Sequence, residues 1–146
     1  MGKLNKEIES ILYERFGRDA IIALATTVEN IPFVRCVNAF YSESAFYVLT
    51  YRLSDKMKQI EANPNVAISG EWFTAHGKGV NLGYFGSVEN ACIADRMRTV
   101  FADWIDNGHN DFSDMNTCIL QIKLTHGILF CEGRRYEIDF TKSCDI

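Results

Sequence analysis

The sequence predicts a mainly β fold, an antiparallel barrel with peripheral helices, in a single domain over residues 1–146. The first observation behind this prediction is length, because 146 residues suit one domain with one core. The second is a series of short apolar segments rich in β-branched residues and joined by short polar turns. The third is that helical spacing of apolar residues is confined to a few segments. We therefore expect roughly six to eight strands and about three helices.

The first three elements are predicted to be a helix and two strands. Apolar residues near the N terminus recur at helical spacing: Leu4, Ile8, Ile11, Leu12 and Phe16. Gly17 follows this pattern at the position of a C-terminal cap. The run from Asp19 to Thr27 is apolar and too short for a typical helix, which predicts a buried strand. Phe33 to Phe40 form the next strand, and there Arg35 shares a face with apolar residues.

The next three elements are predicted to be a strand, a helix and a strand. The apolar run Ala45–Thr50 is the third strand. Ser54 then begins a helix that ends at Asn63, since the residue before a proline is disfavoured in a helix. The apolar face of this helix is predicted to consist of Leu53, Met57 and Ile60. Val66–Phe73 is the fourth predicted strand.

A turn and a fifth strand are predicted to follow. His76–Gly79 contains two glycines and is predicted to be the turn. Val80–Glu89 is predicted to be the strand, with Gly83 and Gly86 in its interior. Glycines inside a strand indicate a bulge or a close backbone approach, and the corners of a barrel require such irregularities.

The remaining chain is predicted to contain a helix, a loop and three strands. Asn90 is expected to cap a helix from Ala91 to about Asp106. The polar stretch His109–Asn116 is typical of a surface loop. The three strands are Thr117–Leu124, Gly127–Cys131 and Tyr136–Phe140.

Ser54 and Lys56 form a candidate anion site at the start of the second predicted helix. The unpaired amides and the dipole of a helix N terminus favour a bound anion. Because the helix follows a strand closely, a hydroxyl, an ammonium and backbone amides are expected to meet at one place. We predict that this place binds a phosphate. Because the net charge of the chain is -4, the positive charge that attracts the phosphate must come from residues close to the site.

Composition excludes several other classes of function. The net charge of -4 speaks against nucleic acid, and no apolar run approaches the ~20 residues of a membrane span. The three histidines lack metal-ligand spacing, so no metal site is expected: His76, His109 and His126. The cysteines are odd in number and form no CxxC pair, which predicts buried reduced thiols in a cytoplasmic protein: Cys36, Cys92, Cys118, Cys131 and Cys144.

Several short motifs occur in an order that resembles the FMN-binding split barrels of the pyridoxamine 5'-phosphate oxidase family. They are ALATT in the first strand, P-x-x-R at Pro32–Arg35, Leu49-Thr50 at the end of the third strand, S-x-K at Ser54–Lys56 and N-P-x-V at Asn63–Val66. The resemblance extends from about Asp19 to Phe140. It implies a split β-barrel that binds FMN at a homodimer interface.

The resemblance also implies roles for individual residues. Arg35, Ser54 and Lys56 match the positions that hold the FMN phosphate in the family, and Leu49 and Thr50 match positions that line the same site. Asn81 lies where the family often has an amide side chain near the flavin ring. A second subunit is expected to complete the site, with its Arg134 or Arg135 as candidates. No catalytic residue is identified.

The sequence departs from the oxidase itself at three places. Phe40 stands where the oxidase has a substrate-binding lysine, and Asp55 stands where it has a second phosphate-binding cation. The arginine-histidine substrate motif of the oxidase is not visible in Gly133–Phe140. We therefore expect a small member of the wider family and not the vitamin-pathway oxidase.

Three functions follow from the resemblance as hypotheses. The first is an FMN-dependent oxidoreductase, a cytoplasmic homodimer that passes electrons from NADH or NADPH to a small-molecule acceptor. The second is a flavin- or haem-binding protein on the same barrel that stores or senses its ligand without turnover. The third is a reductase that uses a deazaflavin. The predicted phosphate site favours FMN.

Overall fold

The computed structural model describes residues 2–142 and divides them into eight strands and three α-helices. The strands are β1 (Gly2–Lys3), β2 (Ala20–Val28), β3 (Ile31–Ser42), β4 (Ala45–Tyr51), β5 (Asn65–Gly70), β6 (Phe73–Tyr84), β7 (Thr117–Cys131) and β8 (Arg134–Asp139). The helices are α1 (Lys6–Phe16), α2 (Asp55–Ala62) and α3 (Ala91–Val100), and a 3₁₀ turn (Val88–Asn90) precedes α3. The predicted numbers of strands and helices are confirmed.

Six of the strands close into an antiparallel barrel. They are hydrogen-bonded in the order β7–β4–β3–β2–β5–β6, and β6 returns to pair with β7. Beyond β7, β8 extends the sheet and β1 pairs with β8 in parallel. The predicted antiparallel barrel is confirmed. The parallel β1–β8 pair is an addition, because a two-residue strand in a polar segment leaves no periodic signal.

The interior of the barrel is filled by every second residue of its strands, and helices cover it. On β6, for example, buried and exposed residues alternate from Phe73 to Val80. α1 contributes Leu12 and Phe16 to the same core, and α2 contributes Met57 and Ile60. Removal of these apolar side chains from water drives the two helices onto the barrel.

A second apolar cluster lies on the outer face of the barrel. The outward side chains of Phe40, Tyr47 and Ile119 pack against α3 and the segment that follows it. Met97 and Phe101 are fully buried there. One side of the barrel wall is therefore covered, while the outer face of β2 and the adjacent part of β3 carry exposed apolar side chains.

The predicted boundaries of the fourth and fifth strands are wrong. β5 ends at Gly70, the chain turns through Glu71 and Trp72, and the predicted turn His76–Gly79 lies inside β6. Val66–Phe73 and Val80–Glu89 are therefore not the two strands.

The glycines of the predicted turn are required by packing and not by chain reversal. A Cβ on Gly77 would lie 2.6 Å from the carbonyl oxygen of Lys123 on β7, and a Cβ on Gly79 would lie 2.6 Å from Cγ2 of Ile60 on α2. Gly77 thus permits the close approach of β7, and Gly79 permits that of α2. In the sequence, two glycines with this role cannot be distinguished from two glycines in a turn.

The predicted bulge at Gly83 is confirmed. The pairing of β6 with β7 shifts register between Asn81 and Tyr84, and Gly83 has a φ of 94°. β6 ends at Tyr84, so Gly86 lies outside the strand.

The predicted strands Thr117–Leu124 and Gly127–Cys131 are one continuous strand, β7. The predicted turn between them is a bulge, because His76 pairs with His126 whereas Gly77 pairs with Leu124. A bulge accepts an extra residue without ending the ladder.

The helices also differ from the prediction in detail. Leu53 precedes α2 and is exposed. Of the three residues predicted to form the apolar face of that helix, only Met57 and Ile60 do so. α3 ends at Val100 and turns continue to Asn107, which shortens the predicted Ala91–Asp106 helix. Leu53 and the turn residues lie at helix ends, where apolar spacing does not fix the boundary.

Asn90 occupies the predicted N-cap position of α3 but does not cap the helix with its side chain. Its amide nitrogen donates to the carbonyl oxygens of Leu82, at 3.0 Å, and Tyr84, at 2.9 Å. The side chain therefore links the end of β6 to the start of α3. It provides a hydrogen-bond donor for carbonyl groups of β6 at and beyond the bulge.

The expectation of buried cysteines is correct for Cys118 and wrong for Cys36 and Cys92, which are exposed. Cys131 is half-buried, and Cys144 lies outside the described residues. Cys36 lies on the outward face of β3, opposite in pleat to Arg35, because side chains alternate along a strand. None of the helices in residues 2–142 is long and apolar enough to cross a lipid bilayer.

Candidate functional site

Arg35 lies on the inner face of β3, at the end of the barrel that α2 covers. Its Nη1 donates to the carbonyl oxygen of Leu24, at 3.2 Å, and to Oγ1 of Thr26, at 2.8 Å. Its Nη2 donates to Oε1 of Gln59 on α2, at 2.9 Å. Burial lowers the pKa of Arg35, and the negative charge of Asp55 opposes that effect. The guanidinium is thus held by neutral acceptors and lies close to one carboxylate.

Thr26 and Gln59 complete a closed set of hydrogen bonds with Arg35. Thr26 is 1% exposed, and its hydroxyl donates to Oε1 of Gln59, at 2.5 Å. Oε1 of Gln59 therefore accepts two hydrogen bonds, one from a hydroxyl and one from the guanidinium. The sequence prediction did not include either residue. Thr26 is part of the ALATT motif, and Gln59 lies on the helix three residues after Lys56, which is the only signal the sequence offers.

Two buried hydroxyls without a hydrogen-bond partner in residues 2–142 lie near the start of α2, one on the end of β4 and one at the N-cap of the helix. Ser54 is the N-cap residue, with extended backbone, but its side chain makes no capping hydrogen bond. Ser54 Oγ and Thr50 Oγ1 are both inaccessible to solvent and have no partner within residues 2–142. An unpaired buried hydroxyl costs about 1–3 kcal/mol. Groups of this kind in a folded protein call for a partner, such as a water molecule, an ion or a ligand, that completes their hydrogen bonds.

Lys56 brings a second positive charge to this end of the barrel. Burial lowers the pKa of the Lys56 ammonium, and the positive charge of Arg35 lowers it further. Two cations therefore lie near each other, with the carboxylate of Asp55 beside Arg35. The predicted helix N terminus, the hydroxyls and both cations are together at one place.

Cys118 lies beneath the same group of residues. It pairs with Thr50 across β4 and β7. Burial raises the pKa of its thiol to about 11, although the positive charges of Lys56 and Arg52 oppose the change. The thiol is therefore neutral at physiological pH and acts as a small apolar surface under the charged groups.

Leu49 and Thr50 lie on opposite faces of β4. The side chain of Thr50 faces the barrel interior with Val48, whereas Leu49 packs against the outer cluster that contains Tyr47. The side chain of Leu49 therefore points away from the face of β4 that carries Thr50.

Asn81 lies on β6 beside α2. Its Oδ1 accepts a hydrogen bond from the amide of Gly83, at 2.8 Å. It borders a cleft of about 320 Å³. The cleft is lined by Arg52, Met57, Ile60, Glu61, Pro64, Gly79, Val80 and Asn81.

The departures from the oxidase pattern have clear structural positions. Phe40 is fully buried in the outer cluster, stacks on Tyr47 and has the guanidinium of Arg96 over its ring at 5.7 Å. Arg134 lies 4.0 Å from a carboxylate oxygen of Glu7, and Arg135 pairs with Glu137 at 3.0 Å. Both arginines are on β8, far along the sheet from the site.

The histidines lie away from the charged group at the start of α2. His76 and His126 stack on the outer face of β6 and β7, with ring centroids 4.7 Å apart. His109 is in the loop after α3. Within residues 2–142 no three metal-ligating side chains come together.

Comparison with solved structures shows the same fold in three proteins of low sequence identity. A predicted pyridoxamine 5'-phosphate oxidase from Listeria innocua has 14% identity and a TM-score of 0.63, over 85% of this chain and 95% of its own. An FAD-binding protein from Mesorhizobium loti has 16% identity and a TM-score of 0.64, over 83% and 89%. A heme-binding protein from Mycobacterium smegmatis has 15% identity and a TM-score of 0.63, over 86% and 55%.

The other two comparisons found nothing similar. No protein-family model matches the chain, and no curated protein matches its sequence. The resemblance expected from the motifs is thus confirmed at the level of the fold. The chain has the fold of the pyridoxamine 5'-phosphate oxidase-like split barrels.

Proposed function

We propose that the chain binds FMN and that Arg35, Lys56, Thr50 and Ser54 hold its phosphate. The observation that carries this proposal is the pair of buried hydroxyls, Thr50 Oγ1 and Ser54 Oγ, that lack partners within residues 2–142. A phosphate offers several acceptor oxygens to donors at a helix N terminus. Its binding would satisfy both hydroxyls at once.

The charges of the site favour a phosphate over a weaker anion. A phosphate monoester carries about two negative charges at neutral pH. Arg35 and Lys56 supply two positive charges, and each is partly desolvated. A bound dianion would relieve the repulsion between them. Asp55 reduces the net charge of the site and makes it weaker than one with a third cation.

The remaining predicted site residues would surround the flavin. Asn81, on the cleft beside α2, would contact the polar edge of the ring through its amide. Leu49 would line the site through its backbone, since its side chain packs on the outer cluster. Their roles are part of the proposal.

We further propose that the function is electron transfer between a nicotinamide donor and a small-molecule acceptor. FMN supplies the redox chemistry when bound, and the protein supplies binding, orientation and electrostatics. Residues of the chain would fix the phosphate, exclude water from Arg35 and Lys56, and place the amide of Asn81. No acid or base of the chain is required for such a reaction.

A flavin- or haem-binding protein without turnover is the alternative, as is use of a deazaflavin. The heme-binding protein from Mycobacterium smegmatis has the same fold, so the barrel itself is compatible with that ligand. The phosphate-binding features at the start of α2 favour FMN.

The site is proposed to lie at a homodimer interface. Exposed apolar side chains on β2 and β3 support this, since Ile21 is 68%, Val34 70% and Ile31 59% exposed. Val34 is next to Arg35 on β3 but faces outward, so a partner that covers it would lie against the outer face of the strand that holds Arg35. A second copy could then contribute the partner's Arg134 or the partner's Arg135.

Titration of the purified protein with FMN tests the proposed function. Binding is expected to quench the flavin fluorescence, with one FMN per chain. A haem spectrum in the protein as isolated, together with no response to FMN, would overturn the FMN assignment. Oxidation of NADH or NADPH by the FMN-loaded protein, with a panel of acceptors, separates an oxidoreductase from a binding protein.

A further inference from the structure

We infer that Gln59 is a positioning residue that directs Arg35 toward the phosphate and so gives the site its preference for FMN over unphosphorylated flavin. The inference rests on the proposed function. It begins from the geometry of the guanidinium, in which three of five N–H donors are already used.

The three hydrogen bonds occupy one end of the guanidinium. Both donors of Nη1 are used by Leu24 and Thr26, and one donor of Nη2 is used by Gln59. In the part of the chain that the structure describes, the donors left over are Nε–H and the second Nη2–H. These two lie on the same edge of the planar group and form the fork that binds two oxygens of a phosphate.

Gln59 and Thr26 fix the orientation of that fork. Arg35 donates to both Thr26 and Gln59, and the hydroxyl of Thr26 donates in turn to Gln59, so the three side chains form a closed triangle in which Oε1 of Gln59 is the final acceptor. Gln59 is on the second turn of α2, and Ser54 and Lys56 are at the start of the same helix. The position of Arg35 is therefore set by the element that presents the other phosphate ligands.

The neutrality of Gln59 is essential to this role. A carboxylate at the same position would accept the same hydrogen bonds, but it would neutralise Arg35 and compete with the phosphate for its charge. The amide oxygen holds the guanidinium without cancelling its charge. This explains a glutamine in a helix whose neighbouring polar residues are charged: Asp55, Lys56, Lys58 and Glu61.

Affinities for FMN and riboflavin, which differ only in the phosphate, provide the test. The wild-type protein, Gln59→Glu and Gln59→Met are each titrated with both flavins by fluorescence. Gln59→Glu is expected to weaken FMN binding by about tenfold to a hundredfold, the range for a lost charge-assisted interaction, with riboflavin affinity changed less than about threefold. Gln59→Met, which removes the acceptor and adds no charge, is expected to weaken FMN binding less. Lys58→Ala, an exposed change on the same helix, is the control.

A double-mutant cycle shows whether Gln59 acts through Arg35. In an Arg35→Ala background, Gln59→Met, which adds no charge, is expected to have little further effect on FMN affinity. If both Gln59 variants lost affinity for FMN and riboflavin by the same factor, the ratio of the two affinities would be unchanged. This result would mean a merely structural role for Gln59 and would overturn the inference. If the wild-type protein bound riboflavin as tightly as FMN, or bound neither flavin, the proposed phosphate site would be contradicted. The inference about Gln59 would then be contradicted as well.

Discussion

Thr50 and Ser54 place two buried hydroxyls on either side of the turn between β4 and α2, and neither hydroxyl has a hydrogen-bond partner within residues 2–142. Ser54 is positioned to cap α2 and does not. The two residues thus carry an energetic cost in the free protein that a phosphate would remove. Lys56, on the first turn of α2, lies near enough to Arg35 for the charge of Arg35 to lower its pKa, so hydroxyls and cations could act on one ligand.

Replacement of Thr50 by valine is expected to separate stability from binding. Because the hydroxyl has no partner, its removal should leave the free energy of unfolding of the ligand-free protein within about 1 kcal/mol of wild type or raise it. FMN affinity should fall by about three- to tenfold. Urea unfolding and fluorescence titration measure the two quantities. A loss of several kcal/mol in stability would mean that the hydroxyl is paired in the free protein.

The affinity for FMN is expected to fall at alkaline pH because of Lys56. The pKa of Lys56 in the folded protein is lowered from 10.5 by burial and by Arg35, so its positive charge is lost earlier than in an unfolded chain. A bound phosphate stabilises the charged form, so FMN binding should take up a proton once the pH exceeds the lowered pKa. The dissociation constant measured from pH 7 upward should therefore rise, and Lys56→Ala should abolish the rise.

The same shift has a defined effect on stability without ligand. Since the folded protein releases the Lys56 proton before the unfolded chain does, the unfolded chain holds more protons between the lowered pKa and 10.5. The contribution of Lys56 therefore destabilises the protein below this window and is relieved as the pH rises through it. Comparison of wild type with Lys56→Met across that range isolates the contribution.

An acidic side chain on the exposed apolar face of β2 and β3 is expected to disrupt the proposed dimer. Val34→Glu would place a charge in the interface, and light scattering should report a monomer where wild type gives a dimer. Val88 is 90% exposed on the turn before α3, so Val88→Glu is the matched control and should leave the mass unchanged. A wild-type monomer, or a dimer in both variants, would contradict this interface.

Gly77→Ala tests the role of the glycines inside β6. The added Cβ would lie 2.6 Å from the carbonyl oxygen of Lys123, a contact that the backbone of β7 must move to avoid. The free energy of unfolding should fall by about 1–3 kcal/mol. Lys78→Ala, at the next position with an outward side chain, should change it by less than about 0.5 kcal/mol. Similar values for both variants would contradict the packing explanation.

The barrel could be predicted from the sequence because apolar and polar residues alternate in almost every strand, as in β7. It could not predict where β5 ends. Gly77 and Gly79 suggested a turn, whereas Trp72, a bulky residue with a φ of 52°, is in the turn itself. Contacts of these glycines with Lys123 and Ile60 depend on residues distant in sequence, and a local pattern contains no information about them.

The prediction of a phosphate site rests on local features of the sequence, and it did not include Thr26 and Gln59, which hold Arg35. Ser54 and Lys56 are adjacent to a helix start, so their proximity follows from the chain alone. The contact of Gln59 with Arg35 spans 24 residues and that with Thr26 spans 33, and both arise only when β2, β3 and α2 meet at the barrel end. Leu49 and Thr50 point to opposite faces of β4 because side chains alternate along a strand. A sequence motif that contains both residues does not show that only one of them faces the site.

The most direct test of the account is FMN titration of Arg35→Ala/Lys56→Ala beside Lys58→Ala. Lys58 is an exposed lysine on the same helix, so the control removes a charge of the same kind outside the site. The double variant should remain folded by circular dichroism and lose FMN binding, whereas Lys58→Ala should bind FMN like wild type. Full retention of FMN by the folded double variant would contradict the phosphate site and the function built on it.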